Sequence, residues 1–122
     1  MTKTYGPYSP SQTIDNLVFT AGQVGATNGQ ASDDIAEQTR LALQNLSNVL
    51  EAAGSSLSRV IKTTVYLTDM ADFDAMNKVY AQVFSEAGCQ RSRSTVGVKE
   101  LPRVANKWLL VEVDAIASLA RD

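Results

Sequence analysis

Residues 108–117 read Trp-Leu-Leu-Val-Glu-Val-Asp-Ala-Ile-Ala, and their alternation decides the fold class. Successive side chains of a strand point to opposite faces. Leu109, Val111, Val113 and Ala115 therefore form one unbroken apolar face, which suits packing beneath helices. The other face carries Trp108, Leu110, Glu112, Asp114 and Ile116, large apolar groups with two carboxylates among them. Working back along the chain, Ser92 to Val98 reads as a second strand, with Val96 and Val98 on one face and Arg91, Arg93 and Thr95 on the other. The sheet face away from the helices is thus expected to mix apolar residues, arginines and acids. Trp, Leu and Ile on such a face call for burial, and self-association is the simplest way to achieve it.

The remaining elements follow from periodicity. Arg59 to Leu67, RVIKTTVYL, is rich in β-branched residues and predicts a strand. Asp72 is placed to cap a helix whose apolar face is Phe73, Met76, Val79, Tyr80, Val83 and Phe84, with Gly88 ending it. Ser32 predicts the N-cap of an earlier helix, with Asp33 and Asp34 in its first turn. Its core-facing stripe is Ile35, Thr39, Ala42, Leu46, Val49 and Ala53, and Gly54 sits where a C′ glycine belongs. Asn16 to Gly22, NLVFTAG, predicts the first strand. Asn28-Gly29 predicts a tight turn, and Gly6, Pro7, Ser9 and Pro10 mark an irregular start. The order strand, helix, strand, helix, strand, strand implies an α+β two-layer sandwich, a mixed sheet with both helices on one face, in a single domain spanning residues 1–122.

Composition narrows the chemistry. The chain has 122 residues, no histidine and one cysteine, Cys89. That excludes Ser-His-Asp and Cys-His catalysis, His-based zinc sites, an internal disulfide and a multi-thiolate metal site. Eleven Lys and Arg against thirteen Asp and Glu give a net charge of −2, which offers no basic footprint for nucleic acid. The first residues lack an apolar signal-peptide core, and the apolar run Trp108 to Val111 is far too short to span a membrane. A cytoplasmic protein without membrane or nucleic-acid partners is the expectation. Any reaction would run on carboxylates, arginine, tyrosine, backbone groups and water.

Several stretches together carry a family resemblance. They are Gly6-Pro7-Tyr8-Ser9, the run from Asn16 to Gln23, Glu51-Ala52-Ala53-Gly54-Ser55-Ser56-Leu57, Val60 to Leu67, Asp69-Met70-Ala71-Asp72-Phe73 with Met76-Asn77-Lys78-Val79-Tyr80, Arg93-Ser94-Thr95-Val96, Leu101-Pro102 and Val111 to Ala117. In this order they resemble the Rid (reactive intermediate deaminase) family, also called the YjgF family, over nearly the whole chain. The resemblance implies a chorismate-mutase-like α+β fold and a homotrimer with active sites in the clefts between subunits. It implies hydrolysis of 2-imino acids or their enamine tautomers, such as 2-aminoacrylate, 2-iminopropanoate and 2-iminobutanoate, to 2-oxo acids and ammonia without a cofactor or metal. Arg93 matches the arginine that anchors the substrate carboxylate, and Glu112 the carboxylate credited with activating water. Tyr8 matches a pocket tyrosine, Gly22 and Thr95 match positions offering backbone groups, and Asn77 matches a recurrent helix asparagine.

The chemistry of the residues agrees with that assignment. A 2-imino acid presents a carboxylate, which the planar guanidinium grips bidentately, and an electrophilic carbon that needs only an oriented water and a proton source. Plainer roles stand beside these. Arg93 could be an interface salt bridge, Glu112 and Asp114 could pair with basic groups across subunits, and Tyr8 could pack at a subunit edge. Arg91 stands where the family has proline and is expected at the surface or rim. Cys89 is expected to be an incidental thiol. Ala21 and Gly25 also depart from the family pattern, and the segment between Leu101-Pro102 and Glu112 (RVANKWLL) runs about four residues longer than usual. Two other functions fit the same residues: a non-catalytic trimer that binds small carboxylates, and a deaminase for a larger enamine. The ribonuclease or translation-inhibitor role attached to some relatives is disfavoured by the acidic composition.

Overall fold

A computed structural model describes residues 4, 6–88, 90–104 and 106–120; Cys89 lies outside the described residues. The strands are β1 (Ser11–Ile14), β2 (Leu17–Thr20), β3 (Gln23–Val24), β4 (Ala26–Thr27), β5 (Gln30–Ala31), β6 (Val60–Leu67), β7 (Ser92–Gly97), β8 (Arg103–Val104), β9 (Lys107–Trp108) and β10 (Val111–Ser118). The helices are α1 (Ile35–Ala52) and α2 (Phe73–Ala87). The main sheet runs β1-β2-β10-β6-β7, with β3 also paired to β10. Every neighbour is antiparallel except β6 and β7, which α2 connects in parallel. This is the expected α+β arrangement, two helices on a mixed sheet.

The core lies between that sheet and the helices. Leu43, Leu46 and Leu50 of α1 and Met76, Tyr80 and Phe84 of α2 pack on Val65, Leu67, Val111, Val113, Ala115 and Ala117. The predicted helix-facing residues of the last strand are therefore buried as expected, but the strand itself starts at Val111. Trp108 belongs to a separate hairpin, β8–β9, and is exposed. That hairpin is what the longer segment builds, and Leu101, Val104 and Leu109 seal it onto Val24 and Ala26 in a second apolar cluster.

Two local expectations need correction. The N-cap of α1 is Asp34 rather than Ser32: its side chain accepts from the Glu37 N–H, while Ser32 Oγ accepts from the Asp34 N–H one step earlier. Asp72 stands at the N-cap of α2 without a side-chain capping bond, and the capping aspartate of this region is Asp69, which accepts from the Ala71 N–H at the preceding 3-10 turn. The Asn28-Gly29 turn is as predicted, with φ of 54° and 74° closing β4 onto β5. Gly54 and Gly88 end their helices at φ 89° and 75°. The β1 strand went unread because Ser11–Ile14 has little apolar content and is largely exposed.

Short β3, β4 and β9 have few ladder bonds, so α1 holds their neighbourhood with side chains. Buried Gln38 donates from Nε2 to the Ser32 carbonyl at 2.7 Å and accepts from the Leu110 N–H at 2.8 Å. Asn45 Nδ2 donates to the Val24 and Ala26 carbonyls at 2.8 and 3.0 Å. A buried polar group stripped of its partner costs about 1–3 kcal/mol. Gln38→Leu should therefore lower the urea-unfolding free energy by about 2 kcal/mol or more. Gln44→Leu, on the exposed face of the same helix, should change it by less than about 0.5 kcal/mol.

Candidate functional site

The helix side of the sheet edge holds one group of polar residues. In parallel register with β6, Arg93 lies beside Thr63 and Thr95 beside Val65, and both of those neighbours are buried beneath the helices. Strand alternation therefore puts Arg93 and Thr95 on the helix side. This corrects the expected placement of the arginines on the face away from the helices. The three residues do share a face, but Val96, which looked like the core residue, is the exposed one. Aromatic rings of α2 give the arginines their cover.

Those rings recur along α2 as Phe73, Tyr80 and Phe84, with Asn77 between the first two. Arg93 Nη1 donates to Asn77 Oδ1 at 2.7 Å, and its Cζ lies 4.6 Å from the Tyr80 ring centre and 5.7 Å from that of Phe73. Arg91 sits one step further along, 3.9 Å from the Phe84 ring centre and 5.0 Å from that of Tyr80. Its Nε donates to the Tyr80 hydroxyl at 3.1 Å. That hydroxyl also shares a 2.6 Å hydrogen bond with Thr63 Oγ1. Such stacking suits the weakly hydrated guanidinium and fixes its plane. An open cavity of about 540 Å³ is bounded by Asn77, Tyr80, Ala81, Gln90, Arg91 and Arg93. On the same side of the strand as Arg93, Thr95 Oγ1 is buried with no hydrogen-bond partner among the described residues.

The opposite face holds a second group. Val111 and Val113 are buried under the helices, so Glu112 between them faces the other way. It pairs across the ladder with Val24 on one side and Tyr66 on the other. Gly22 leaves the space that the Glu112 carboxylate occupies, since a Cβ there would fall onto Glu112 Oε2. The Ala21 N–H donates to the Pro10 carbonyl at 2.8 Å, which ties the exposed segment bearing Tyr8 to the strand leading into Gly22. Next to Glu112, Asp114 Oδ2 accepts from the Tyr66 hydroxyl at 2.9 Å. Burial, and then the Asp114 carboxylate beside it, push Glu112 above the usual carboxylate range. Burial and then the bond to Asp114 push Tyr66 up in the same way.

The structure thus brings Arg93, Asn77 and Thr95 together on one side, and Gly22 and Glu112 on the other. It does not bring Arg93 to Glu112. Arg91, expected at the rim, lines the same cavity as Arg93. Helical periodicity assigns Tyr80 and Phe73 to packing alone, although Phe73, Asn77, Tyr80 and Phe84 recur at the spacing of one helix face. That stripe, set against Arg91 and Arg93 two apart on a strand, was the available signal. Among the described residues, no cluster of three or more acidic or thiol groups is placed to hold a metal, and no helix is long and apolar enough to cross a membrane.

Comparison with known proteins adds a lineage to this geometry. Residues 1–119 match the family model described as Endoribonuclease L-PSP. The chain is 46% identical over 118 residues to a RutC family protein of Pyrococcus horikoshii, covering 94% of this chain and 89% of that one. It is 38% identical over 115 residues to TdcF of Escherichia coli, named as a reactive intermediate deaminase, covering 92% of this chain and 86% of TdcF. The crystal structure of Escherichia coli TdcF with bound serine superposes with a TM-score of 0.88 at 36% identity, over 96% of this chain and 91% of that chain.

The environment of Glu112 makes a prediction with a definite sign. A carboxyl whose pKa is raised on folding holds its proton more tightly in the native state, so the native state loses stability as pH rises through that titration. Glu112→Gln should melt at a higher temperature than wild type at pH 7, and the difference should close as the pH falls below about 4.3, the ordinary glutamate value. A destabilised Gln variant at pH 7 would mean that interactions of the charged carboxylate outweigh the cost of burying it.

Proposed function

The chain belongs to the YjgF/Rid family, and on that premise we propose that it hydrolyses reactive 2-imino acids and their enamine tautomers, such as 2-iminopropanoate and 2-iminobutanoate, to 2-oxo acids and ammonia. The observation that carries the proposal is Arg93, a permanently charged fork oriented by Asn77 and by the Tyr80 ring at the wall of an open cavity. The described ion pairs, Glu37–Arg40 and Asp33–Lys107, leave Arg93 out. A substrate carboxylate would take the place of the missing anion. Serine, the amino acid bound to TdcF, has the same carboxylate on a three-carbon frame.

In this reading Arg93 holds the carboxylate and the imine carbon lies next to an ordered water. Glu112 takes a proton from that water as it adds to the carbon and gives it to nitrogen, then carries the proton of the new hydroxyl to nitrogen as the C–N bond breaks and ammonia leaves. An upward-shifted carboxyl is better matched to that two-way traffic near neutral pH than an ordinary one. The backbone groups at Thr95 and Gly22 are the further contacts assigned to the ligand, and Tyr8 closes the pocket from the N-terminal segment. No cofactor enters the balance, because water supplies the oxygen.

Arg93 and Glu112 face opposite sides of the sheet, and β7 and β10 are separated by β6. At about 4.8 Å per strand spacing, a three- or four-carbon substrate cannot touch both within one chain. In this reading the site is shared by two chains of the homotrimer that the family resemblance implies, Arg93 from one and Glu112 from its neighbour. Imine made by an amino-acid oxidase should vanish faster with the protein present than semicarbazide trapping alone allows. Arg93→Ala and Glu112→Gln should each abolish that acceleration. Unfolded and refolded together in equal amounts, the two variants should regain about one quarter of wild-type activity, because random mixing restores that fraction of shared sites. No regain from folded mixed oligomers would place both residues in one chain's site. Wild type that leaves the imine lifetime unchanged while binding pyruvate would favour a carboxylate-binding protein without turnover.

A further inference from the structure

Thr63 places a hydroxyl on the core side of β6, where the next two positions of that face are Val65 and Leu67. It is as completely buried as they are. A hydroxyl in such a place costs stability unless it is bonded, and this one shares a 2.6 Å hydrogen bond with the Tyr80 hydroxyl. The Tyr80 oxygen also accepts from Arg91 Nε at 3.1 Å, which leaves its own proton for Thr63 Oγ1. The Tyr80 ring carries Arg93 on its face, with Cζ 4.6 Å from the ring centre. Arg93 is in turn the register partner of Thr63 in the parallel ladder. Three links therefore close a triangle. The ladder joins Thr63 to Arg93, the hydrogen bond joins Thr63 to Tyr80, and the ring face joins Tyr80 to Arg93.

We infer that Thr63 is a positioning residue for the substrate carboxylate: its buried hydroxyl holds the Tyr80 ring at the tilt that fixes the plane of the Arg93 guanidinium. The inference rests on the reading of Arg93 as the carboxylate anchor. Thr63 takes no part in the cavity wall and is wholly buried, so it reaches a ligand only through Tyr80 and Arg93. The Asn77 bond holds one end of the fork, Nη1, and by itself leaves the guanidinium free to turn about that contact. A ring face against the guanidinium plane removes this freedom. A fork already held in plane gives up less motion when the two oxygens of a carboxylate bind to it. Valine at position 63 would fill nearly the same space, and the ring would keep its packing but lose its pin.

Tyr80→Phe would release Arg91 as well, so the test uses Thr63→Val and Thr63→Ser in the full chain. Nitrogen-15 relaxation at Arg93 Nε, assigned by the loss of that signal in Arg93→Lys, reads picosecond-to-nanosecond motion of the side chain without any ligand. Arg93 Nε–H should be ordered in wild type and in Thr63→Ser, and should lose order in Thr63→Val. An equally ordered Arg93 in Thr63→Val overturns the inference, because packing on Phe84 would then suffice to hold the ring. In calorimetry, Thr63→Val should bind pyruvate about threefold to tenfold more weakly at unchanged stoichiometry, and Thr63→Ser should bind as wild type does. A lower stoichiometry at unchanged affinity marks a purely structural role and overturns it. In an Arg93→Lys background, which has no plane to hold, Thr63→Val should cause no further loss of affinity. An undiminished loss there overturns it. If Thr63→Val does not fold, Thr63→Cys, a weak hydrogen-bonding group of similar size, decides by the same readings. Absence of imine turnover defeats the deaminase assignment alone, since pyruvate binding and relaxation still decide the role of Thr63. Pyruvate binding untouched by Arg93→Ala defeats the anchor reading, and the relaxation then shows whether Thr63 orders Arg93.

Discussion

Strand alternation governs what this molecule can do. Once Val111, Val113 and Ala115 are committed to the core, Glu112 and Asp114 have no choice but the opposite face. Once β7 pairs in parallel with β6 with Arg93 beside Thr63, the arginine is committed to the helix side. A single residue of slippage in either pairing would exchange the faces. The polar groups are thus divided by the same rule that makes the core, with the arginines on one side and the Glu112 and Asp114 carboxylates on the other.

Each half is built from a different kind of support. On the helix side, flat rings stack on both arginines, the Asn77 amide accepts from Arg93 and the Tyr80 hydroxyl accepts from Arg91. On the open side, the support is space: Gly22 has no side chain, and the Glu112 carboxylate fills the place that one would take. Tyr66 donates to Asp114, while burial and then its acidic neighbour push Glu112 upward.

Much of this was legible in the sequence. The alternation of residues 109–115, the two amphipathic helices and their glycine ends fixed the layers, and both helices lie close to where their periodicity put them. Arg91, Arg93 and Thr95 were correctly grouped by parity. The face was misassigned because Val96 looks like a core residue and arginine like a solvent-facing one. Only the register between two strands thirty residues apart, and the rings waiting above them, decide otherwise. The hairpin at 103–108 was visible as extra length but not as structure, because two-residue strands carry no periodicity to read. Ser32 and Asp34 both suit a cap, and the choice between them depended on which carbonyls and amides the preceding loop had already used.

That hairpin begins and ends at nearly the same place. The Leu109 N–H donates to the Pro102 carbonyl at 3.3 Å, Leu101 and Leu109 are both buried in the second cluster, and Lys107 reaches Asp33 at 2.6 Å. The hairpin between Pro102 and Leu109 is a closed excursion whose two ends meet at its base. Loop-closure entropy rises slowly with length, so this is a point where the chain can lengthen or shorten over generations while β10, and Glu112 with it, stays in place. The exposed Arg103–Trp108 pair at 4.9 Å rides on the outer side of that segment, a surface on which new recognition can be tried while Val104 keeps its place in the second cluster.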